Sequence, residues 1–519
     1  MTAGNTDVKM ANSSENNKRI LKNTLLLYVR MFFMMIVSLY TSRVILKSLG
    51  VVDFGIYNVV GGVVSMMGVI NGSMATATQR YLTYELGNGN TKRLNEVFCM
   101  CVNIYLVLAL LCVLVSETVG LWFLNTQLVI PAERMYAANW VFQLSLLTFL
   151  ISMLTNPYNA VIVSREKMGI YAYISIFEAM FKLAIVFIVM FVPYDKLIFY
   201  GFLCMMSQLI VCGCYVTYCN RHYSESHYSY YWEGALFKNL SSYLGWNLFG
   251  SMATLAKGQG LNMLLNMFFS PVVNAARGIA YQVSTTVYNF FTNFYTAVRP
   301  QITKYYAQND MDNMFRLVFK SSKMSFFLIL FVSLPLVVEA PYVIQLWLGQ
   351  RPDYVVPFMR LIITLTAVDA MATPLMTTAH ATGKIALYQF VVGTMTTLNI
   401  PVSYCLLKFA ECGPVVVFQV SVCISVINLF LRLWIVKRLV DFPVWQYIKQ
   451  IFVKCVVVTA VACSLPICLH IYLEESFLSF VAVCAVTLLS SVCTIYVIGL
   501  HASEREFVVR AVKTKLHIK

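Results

Sequence analysis

Long apolar runs separated by short polar segments recur along the whole chain. A transmembrane helix takes about 20 mostly apolar residues, and fourteen runs reach that length. One of them, SFLSFVAVCAVTLLSSVCTIYVIGL near the end of the chain, carries no charge at all. The predicted spans are 23–46, 54–76, 97–118, 136–157, 169–192, 197–218, 241–268, 272–298, 323–348, 356–381, 385–407, 413–436, 447–471 and 477–500.

The seventh and eighth runs, 241–268 and 272–298, are less apolar than the others because Gly, Asn, Gln and Ser interrupt them. Such helices are tolerated in a membrane where they are buried in protein or line a water-filled cavity. We therefore expect these two helices to line a polar cavity.

Composition supports a membrane protein with many spans. The chain has 519 residues, of which 59% are hydrophobic and only 12% charged, with a mean hydropathy of +0.71. About a quarter of the residues in a soluble domain are charged. The first twenty residues are polar, without the apolar core of a removable signal peptide. Hence we expect the first span to act as the insertion signal.

The positive charges predict the orientation. If the N-terminus is cytoplasmic, the segments on the inner side carry 26 Lys and Arg residues and those on the outer side carry 6. Cytoplasmic loops are the ones enriched in Lys and Arg. We therefore expect both termini to be cytoplasmic, which an even number of spans also requires.

Motifs of enzymes are missing from the sequence. No outer connection is long enough to fold into a domain, and no GxxxxGK[ST] nucleotide-binding loop occurs. The fifteen cysteines lie mostly inside apolar runs, without histidines at ligand spacing. We expect no catalytic residues, no metal site and no nucleic-acid partner.

An internal repeat divides the chain. Three pairs of positions match, separated by a nearly constant number of residues. They are the starts of the first and seventh spans, the ends of the second and eighth spans, and a proline in the fourth and tenth spans. These pairs are Asn23 and Asn239, Arg80 and Arg299, and Pro157 and Pro374. Since six helices separate the copies, the repeats run parallel, as in transporters built from two halves.

The repeat predicts an all-α fold of about fourteen spans, with two parallel six-helix lobes around a central cavity and an appended helix pair. The predicted divisions are a cytoplasmic tail 1–22, an N-lobe 23–218, a cytoplasmic linker 219–240, a C-lobe 241–436, helices 13 and 14 at 447–500, and a basic cytoplasmic tail 501–519.

A few charged residues fall inside the predicted spans, where ionisable groups mark ligand or ion pathways. Lys257 is near the middle of the seventh span and Arg277 lies in the eighth, so both are candidates for binding an anionic group. Arg360 and Lys454 lie close to span ends, where long cationic side chains reach the head groups.

Two further cations have alternative interpretations. Arg30 lies about 10 Å into the first span, so it either lines the cavity or extends to the cytoplasmic head groups. Lys182 follows Glu178 by one helical turn. The two either form an i,i+4 ion pair, which we favour, or act as a gate or an ion-coupled element.

Asp369 lies deep in the tenth span, in TAVDAMATP. A carboxylate at this depth either binds a coupling H⁺ or Na⁺ or pairs with a cation from another helix. Asp369 and Glu178 are therefore the ion-coupling candidates, and Lys257, Arg277, Arg30 and Lys182 are the substrate-binding candidates.

The run LKSLGVVDFGIYNVVGGVVSMMGVINGSMATATQRYL resembles the helix 1–2 signature of bacterial polysaccharide transporters, with its leucine-glycine turn, glycine-rich helix and polar Arg-Tyr exit. Over about residues 17–510 the chain resembles a lipid-linked O-antigen or capsule repeat-unit flippase. These flippases belong to the multidrug/oligosaccharidyl-lipid/polysaccharide exporter superfamily.

This resemblance implies a bacterial inner-membrane protein that works by alternating access. Its cargo would be an undecaprenyl-pyrophosphate-linked oligosaccharide, its energy would come from an H⁺ or Na⁺ gradient, and its partners would include polysaccharide polymerase and export machinery. A drug or metabolite antiporter of the same fold is the alternative, although drug exporters of cationic compounds favour acidic cavities. A membrane glycan polymerase or ligase is the weaker alternative.

Overall fold

The structure is a computed structural model of the 519-residue chain. It describes residues 2–65, 67–126, 128, 130–269, 271–501 and 504–506. Within these ranges the chain forms helices joined by short connections, with no β-strand. Most of the predicted basic tail, from residue 507 onward, lies outside the described residues.

The first half of the chain forms seven α-helices within the described ranges. They are α1 (Thr2–Ser65), α2 (Gly68–Asn88), α3 (Thr91–Val115), α4 (Leu121–Thr126), α5 (Met135–Ser164), α6 (Met168–Phe191) and α7 (Lys196–His222).

The second half continues with two long helices and then a series of shorter ones. They are α8 (Gly234–Phe268), α9 (Pro271–Ala307), α10 (Met311–Val338), α11 (Ala340–Leu348), α12 (Val355–Ala381), α13 (Ala386–Thr397), α14 (Asn399–Phe409), α15 (Val416–Val440), α16 (Val444–Tyr447), α17 (Val453–Tyr472) and α18 (Phe477–Thr494).

Eleven helical stretches of the described residues are long and apolar enough to cross a membrane, and they coincide with eleven of the predicted spans. The other three predicted spans, 54–76, 241–268 and 272–298, also lie on helices, namely α1–α2, α8 and α9. Of these three, 241–268 and 272–298 are more polar, as their interrupted sequences indicated, and 54–76 is divided between α1 and α2 at residue 66, outside the described residues. The predicted all-α membrane fold is confirmed.

The connection between the first two predicted spans contains a break in the helical backbone. Gly50, where φ is 78° and ψ is 170°, separates two helical parts of α1 and lies between residues 46 and 54, the predicted bounds of that connection. Glycine adopts a positive φ without steric cost, so the break follows from the leucine-glycine pair. The next helix, α2, ends at Asn88 rather than at residue 76, the predicted end of the second span. Gly89, which follows it, has a left-handed backbone conformation.

The chain folds into two compact units. Unit 1 comprises Met1–Ser251 and Thr296–Asp310, and unit 2 comprises Met252–Tyr295 and Met311–Lys519. The helices α8 and α9 therefore each contribute residues to both units.

Unit 1 is held together by apolar contacts between its helices. In it α5 packs against α7, α2 and α3, and α1 packs against α6. The side chains of Val60, Val141 and Leu197, from three different helices, are fully buried in one of its apolar clusters.

Unit 2 repeats this packing order. Counted within the second repeat, α12 is the fourth span, and it packs against α10 and α15, the third and sixth spans. In unit 1, α5 packs against α3 and α7 in the same way. Phe358, Phe418 and Leu265 lie in one of its apolar clusters. The appended pair, α17 and α18, pack against each other and against α10. Each half therefore has the same arrangement, as the sequence repeat predicts.

The linker between α7 and α8 is docked on α3 and contains only one short turn of 3₁₀ helix, Ser224–Ser226. The side-chain amides of Asn95 and Asn103 donate to the linker carbonyls of Glu225 and Tyr231, each at 2.8 Å. Arg93 binds Glu233, and hydrogen bonds from its guanidinium and from the Tyr231 hydroxyl lower the pKa of Glu233 to about 2. The linker is therefore a fixed part of unit 1.

Glu166 joins three segments of unit 1. It lies between α5 and α6 with a left-handed φ of 59°, and its side chain is almost fully buried. The amide of Gln301 donates to its carboxylate at 2.5 Å, and the ammonium of Lys304 also binds it. The amide of Asn23 donates to its backbone carbonyl at 3.1 Å. Glu166 therefore links α1 and the end of α9 to the connection between α5 and α6.

Lys323 of α10 carries a fully buried charge in unit 2. Its side chain is 2% exposed, and its ammonium lies 2.6 Å from Glu504, which is 181 residues later. Lys323 is the first residue of the predicted span 323–348, whereas α10 begins earlier, at Met311, so Lys323 lies inside the helix.

We predict that Glu166→Gln lowers the stability of the protein by about 2 kcal/mol, because the amide keeps only one acceptor oxygen for Gln301 and Lys304 and has no charge to pair with Lys304. The measurement is the thermal unfolding midpoint of the purified protein in detergent. Glu178→Gln is the matched control, since it breaks an i,i+4 pair worth about 0.3–0.5 kcal/mol. Equal midpoints for the two variants would contradict the role of Glu166.

Candidate functional site

Two of the predicted substrate-binding cations lie in unit 2. Lys257 is on α8 and Arg277 is on α9, and both side chains are half-buried. Lys257 makes no hydrogen bond or ion pair with any other described residue, and it lies within electrostatic range of Asp369 and Arg432. It therefore retains its capacity to bind an anion.

Arg277 is held in place by α8 and by its own helix. Its guanidinium donates to the side-chain carbonyl of Asn262 at 3.1 Å and to the backbone carbonyl of Gly258 at 2.8 Å. The guanidinium carbon lies 4.7 Å from the ring centre of Tyr281. These contacts fix the plane of the guanidinium, while its Nε is buried without a partner among the described residues.

Asp369, the ion-coupling candidate on α12, is half-buried. The hydroxyl of Ser425 on α15 donates to its carboxylate at 2.6 Å. Among the described residues no cationic nitrogen lies within 4.0 Å of this carboxylate, although Lys257 is within electrostatic range. Asp369 therefore faces α15 and the Lys257 side chain without forming a direct ion pair.

Arg432 is the residue of this site that the sequence analysis missed. It lies in the predicted span 413–436 but was not chosen as a candidate, and α15, which extends to Val440, places it two turns before the end of the helix. Its side chain is half-buried and its Nε has no partner among the described residues. The apolar residues on both sides, in LFLRLWIV, were the signal that it lies in a span.

Lys257, Arg277, Asp369 and Arg432 all belong to unit 2, and we name them the unit 2 charge cluster. Tyr281 interacts electrostatically with Arg277 and Asp369, and Tyr288 interacts with Asp369 and Arg432. The cluster contains three cations and one carboxylate. It can therefore hold an anionic group and still leave Asp369 to bind a cation.

In unit 1, Arg30 stacks on an aromatic ring. Its guanidinium carbon lies 4.5 Å from the ring centre of Tyr171 on α6, and Arg30 is also within electrostatic range of Tyr215 on α7. A guanidinium over an aromatic face is stabilised by about 0.5–2 kcal/mol. The Nε of Arg30 is buried without a partner among the described residues. Arg30 therefore points towards α6 and α7.

Lys182 and Glu178 form the i,i+4 ion pair that their spacing predicts. The ammonium of Lys182 lies 2.6 Å from the Glu178 carboxylate, and the Lys182 side chain is half exposed. The pair neutralises both charges on one helix. Its alternative role as a gate or ion-coupled element stays a prediction.

Clusters of metal ligands are not found in the part of the chain that the structure describes. No three His, Cys, Asp or Glu side chains there come close enough together to hold a metal ion.

No protein family and no curated protein sequence matches this chain. Solved structures match it closely in shape. They include an outward-facing conformation of a multidrug resistance MATE family transporter of the MOP superfamily, with a TM-score of 0.71 at 11% identity over 82% of this chain and 97% of that one.

A MATE protein in its straight conformation gives a TM-score of 0.68 at 12% identity, over 82% of this chain and 97% of that chain. A third structure is a MOP superfamily transporter from Pyrococcus furiosus, at a TM-score of 0.67 and 12% identity over 82% and 96% of the two chains. Its description reports a binding pocket of reverse polarity, suggesting a different function. The present chain therefore has the fold of the MATE transporters of the MOP superfamily.

Proposed function

We propose that this protein is a flippase of the bacterial inner membrane for undecaprenyl-pyrophosphate-linked oligosaccharides, moving them to the outer leaflet by alternating access. The observation that carries the proposal is the net positive charge of the unit 2 charge cluster. Lys257, Arg277 and Arg432 outnumber Asp369, the carboxylate of the cluster.

The chemistry of the cargo explains why cations would lie inside the membrane. A pyrophosphate cannot enter hydrocarbon without losing its hydration, and Arg or Lys groups replace that hydration with charge-assisted hydrogen bonds. The Nε atoms of Arg277 and Arg432 are buried donors without partners among the described residues. A buried donor costs about 1–3 kcal/mol while it is unsatisfied, so an anionic oxygen beside these atoms is favoured.

Arg30, in unit 1, is a further candidate for binding the anionic cargo. Its stacking on Tyr171 orients the guanidinium, and its Nε is likewise without a partner in the described part of the chain. Lys182 contributes less, since Glu178 already neutralises it. We therefore retain Arg30 as a binding residue and treat the Lys182–Glu178 pair as structural.

A drug or metabolite antiporter is the second candidate function. One observation favours it: the Asp369 carboxylate is held by Ser425 at 2.6 Å without a direct ion pair, so it could attract a cationic compound. The multidrug transporter among the similar structures has the same fold. Because one fold serves many functions, the sign of the cargo charge has to be measured.

The first prediction concerns the cations. We expect Lys257→Ala, Arg277→Ala and Arg432→Ala each to slow flipping about tenfold or more, because each loses a charge-assisted hydrogen bond worth about 1.5–3 kcal/mol. The measurement uses proteoliposomes that contain an undecaprenyl-pyrophosphate monosaccharide labelled with a dithionite-sensitive fluorophore. The rate at which the label becomes accessible to dithionite reports flipping.

Arg360→Ala is the matched control for these variants. Arg360 is an exposed arginine on α12 whose Nε donates to the carbonyl of Val337 at 3.0 Å, so its loss is expected to leave the flipping rate unchanged. Unchanged rates in all three cluster variants would place the cargo path elsewhere. Export of ethidium, a cationic compound, by proteoliposomes that do not flip the lipid would favour the antiporter.

The second prediction concerns coupling. We expect Asp369→Asn to abolish the acceleration of transport by an imposed H⁺ or Na⁺ gradient, because the amide cannot bind either ion as a carboxylate does. Ser425→Ala is the control, since it removes the 2.6 Å hydrogen bond but keeps the carboxylate. If gradient dependence survives in Asp369→Asn and disappears in Glu178→Gln, the coupling group is Glu178.

A further inference from the structure

A groove on unit 1 lies between α6 and α7 and plays no part in the proposed cargo path. Its volume is about 560 Å³, and its wall is mostly apolar. Ile170 and Ile174 line it from the start of α6, and Ile210 lines it from α7. It is open at Gly213, where an added Cβ would meet no atom within 4 Å.

The length of the groove corresponds to one leaflet of a bilayer. Its lining extends along α7 from Ile210 to His222. Twelve helical residues span about 18 Å, and one leaflet of hydrocarbon is about 15 Å deep. The groove therefore reaches from the end of α7 to about the middle of the membrane.

The charge of the groove is concentrated at one end. Arg221 and His222 lie there in the last turn of α7, and the lining contains no carboxylate. Arg221 is exposed and makes no hydrogen bond or ion pair with any other described residue. The nearby Glu225 is already bound by Arg165, whose Nε lies 2.6 Å from its carboxylate. Arg221 is thus available to an external anion.

Aromatic side chains give this end of the groove a fixed shape. The rings of His222 and Tyr218 stack with their centres 4.3 Å apart, and Nδ1 of His222 lies 2.9 Å from the carbonyl oxygen of Tyr218. Tyr173, on the facing helix, is largely exposed. Tyrosines at this level are typical of the boundary between hydrocarbon and head groups.

We propose that this groove binds one anionic phospholipid of the cytoplasmic leaflet. The phosphate binds the fork of N–H donors of Arg221, and an acyl chain lies along Ile210, Gly213 and Ile174. The assignment of the leaflet rests on the orientation that the Lys and Arg distribution predicts. The occupant is a phospholipid rather than the proposed cargo because the groove is one leaflet deep, whereas an undecaprenyl chain is much longer than that.

The test is native mass spectrometry of the purified full-length protein, titrated in detergent with phosphatidylglycerol or phosphatidylcholine. We expect one tightly bound phosphatidylglycerol. Gly213→Phe, at a position where an added Cβ meets no atom within 4 Å, is expected to abolish that binding, whereas Leu209→Phe, on an exposed face of the same helix, leaves it intact. Arg221→Gln is expected to weaken phosphatidylglycerol binding about fivefold, as for the loss of one surface cation, and to weaken phosphatidylcholine binding less, because the choline ammonium offsets the charge of its phosphate.

Further variants and a competitor complete the test. Arg221→Lys retains most of the preference for the anionic lipid, and Lys92→Gln, at an exposed lysine of α3, retains all of it. Equal phosphatidylglycerol binding by the wild type and Arg221→Gln overturns the proposal, even if Gly213→Phe fails to fold. Displacement of phosphatidylglycerol by an equal concentration of undecaprenyl phosphate also overturns it, because the groove would then belong to the cargo.

Discussion

The cost of an unsatisfied charge in hydrocarbon determines how every ionisable side chain within the spans of this protein is arranged. On insertion scales, a lysine or arginine at the centre of a membrane helix costs about 2.5–3.5 kcal/mol. Lys182 avoids this cost with a carboxylate on its own helix, and Lys323 does so with one brought from far along the chain. Each of these pairs leaves little charge for a ligand.

The unit 2 charge cluster is arranged differently. Lys257 is within electrostatic range of both Asp369 and Arg432, yet it forms no direct ion pair with Asp369. Removing charges from water without close pairing is unfavourable, and the anionic cargo and coupling ion proposed above would offset that cost. The excess of positive charge in the cluster is the reason for proposing an anionic cargo.

The hydrophobic pattern predicted the helices well because the bilayer requires long apolar runs, and the repeat predicted their packing order. The helix ends were less predictable. The second span was predicted to end at residue 76, whereas α2 continues to Asn88, and α10 begins at Met311, before the predicted start of the ninth span at residue 323. Contacts between helices were beyond prediction from one sequence. The hydrogen bond from Ser425 to Asp369 joins residues 56 positions apart, and nothing in the local sequence of either residue indicates the other.

The pairing of Lys323 with Glu504 has a consequence for the order in which the protein is made. Ribosomes add about 5–20 residues per second, so Glu504, made 181 residues after Lys323, follows it by about 10–40 s. During that interval α10 has entered the membrane with a lysine that lacks its partner. Unit 2 can therefore adopt its final packing only late in synthesis, and a chain that stops before residue 504 would leave α10 exposed to quality-control proteases.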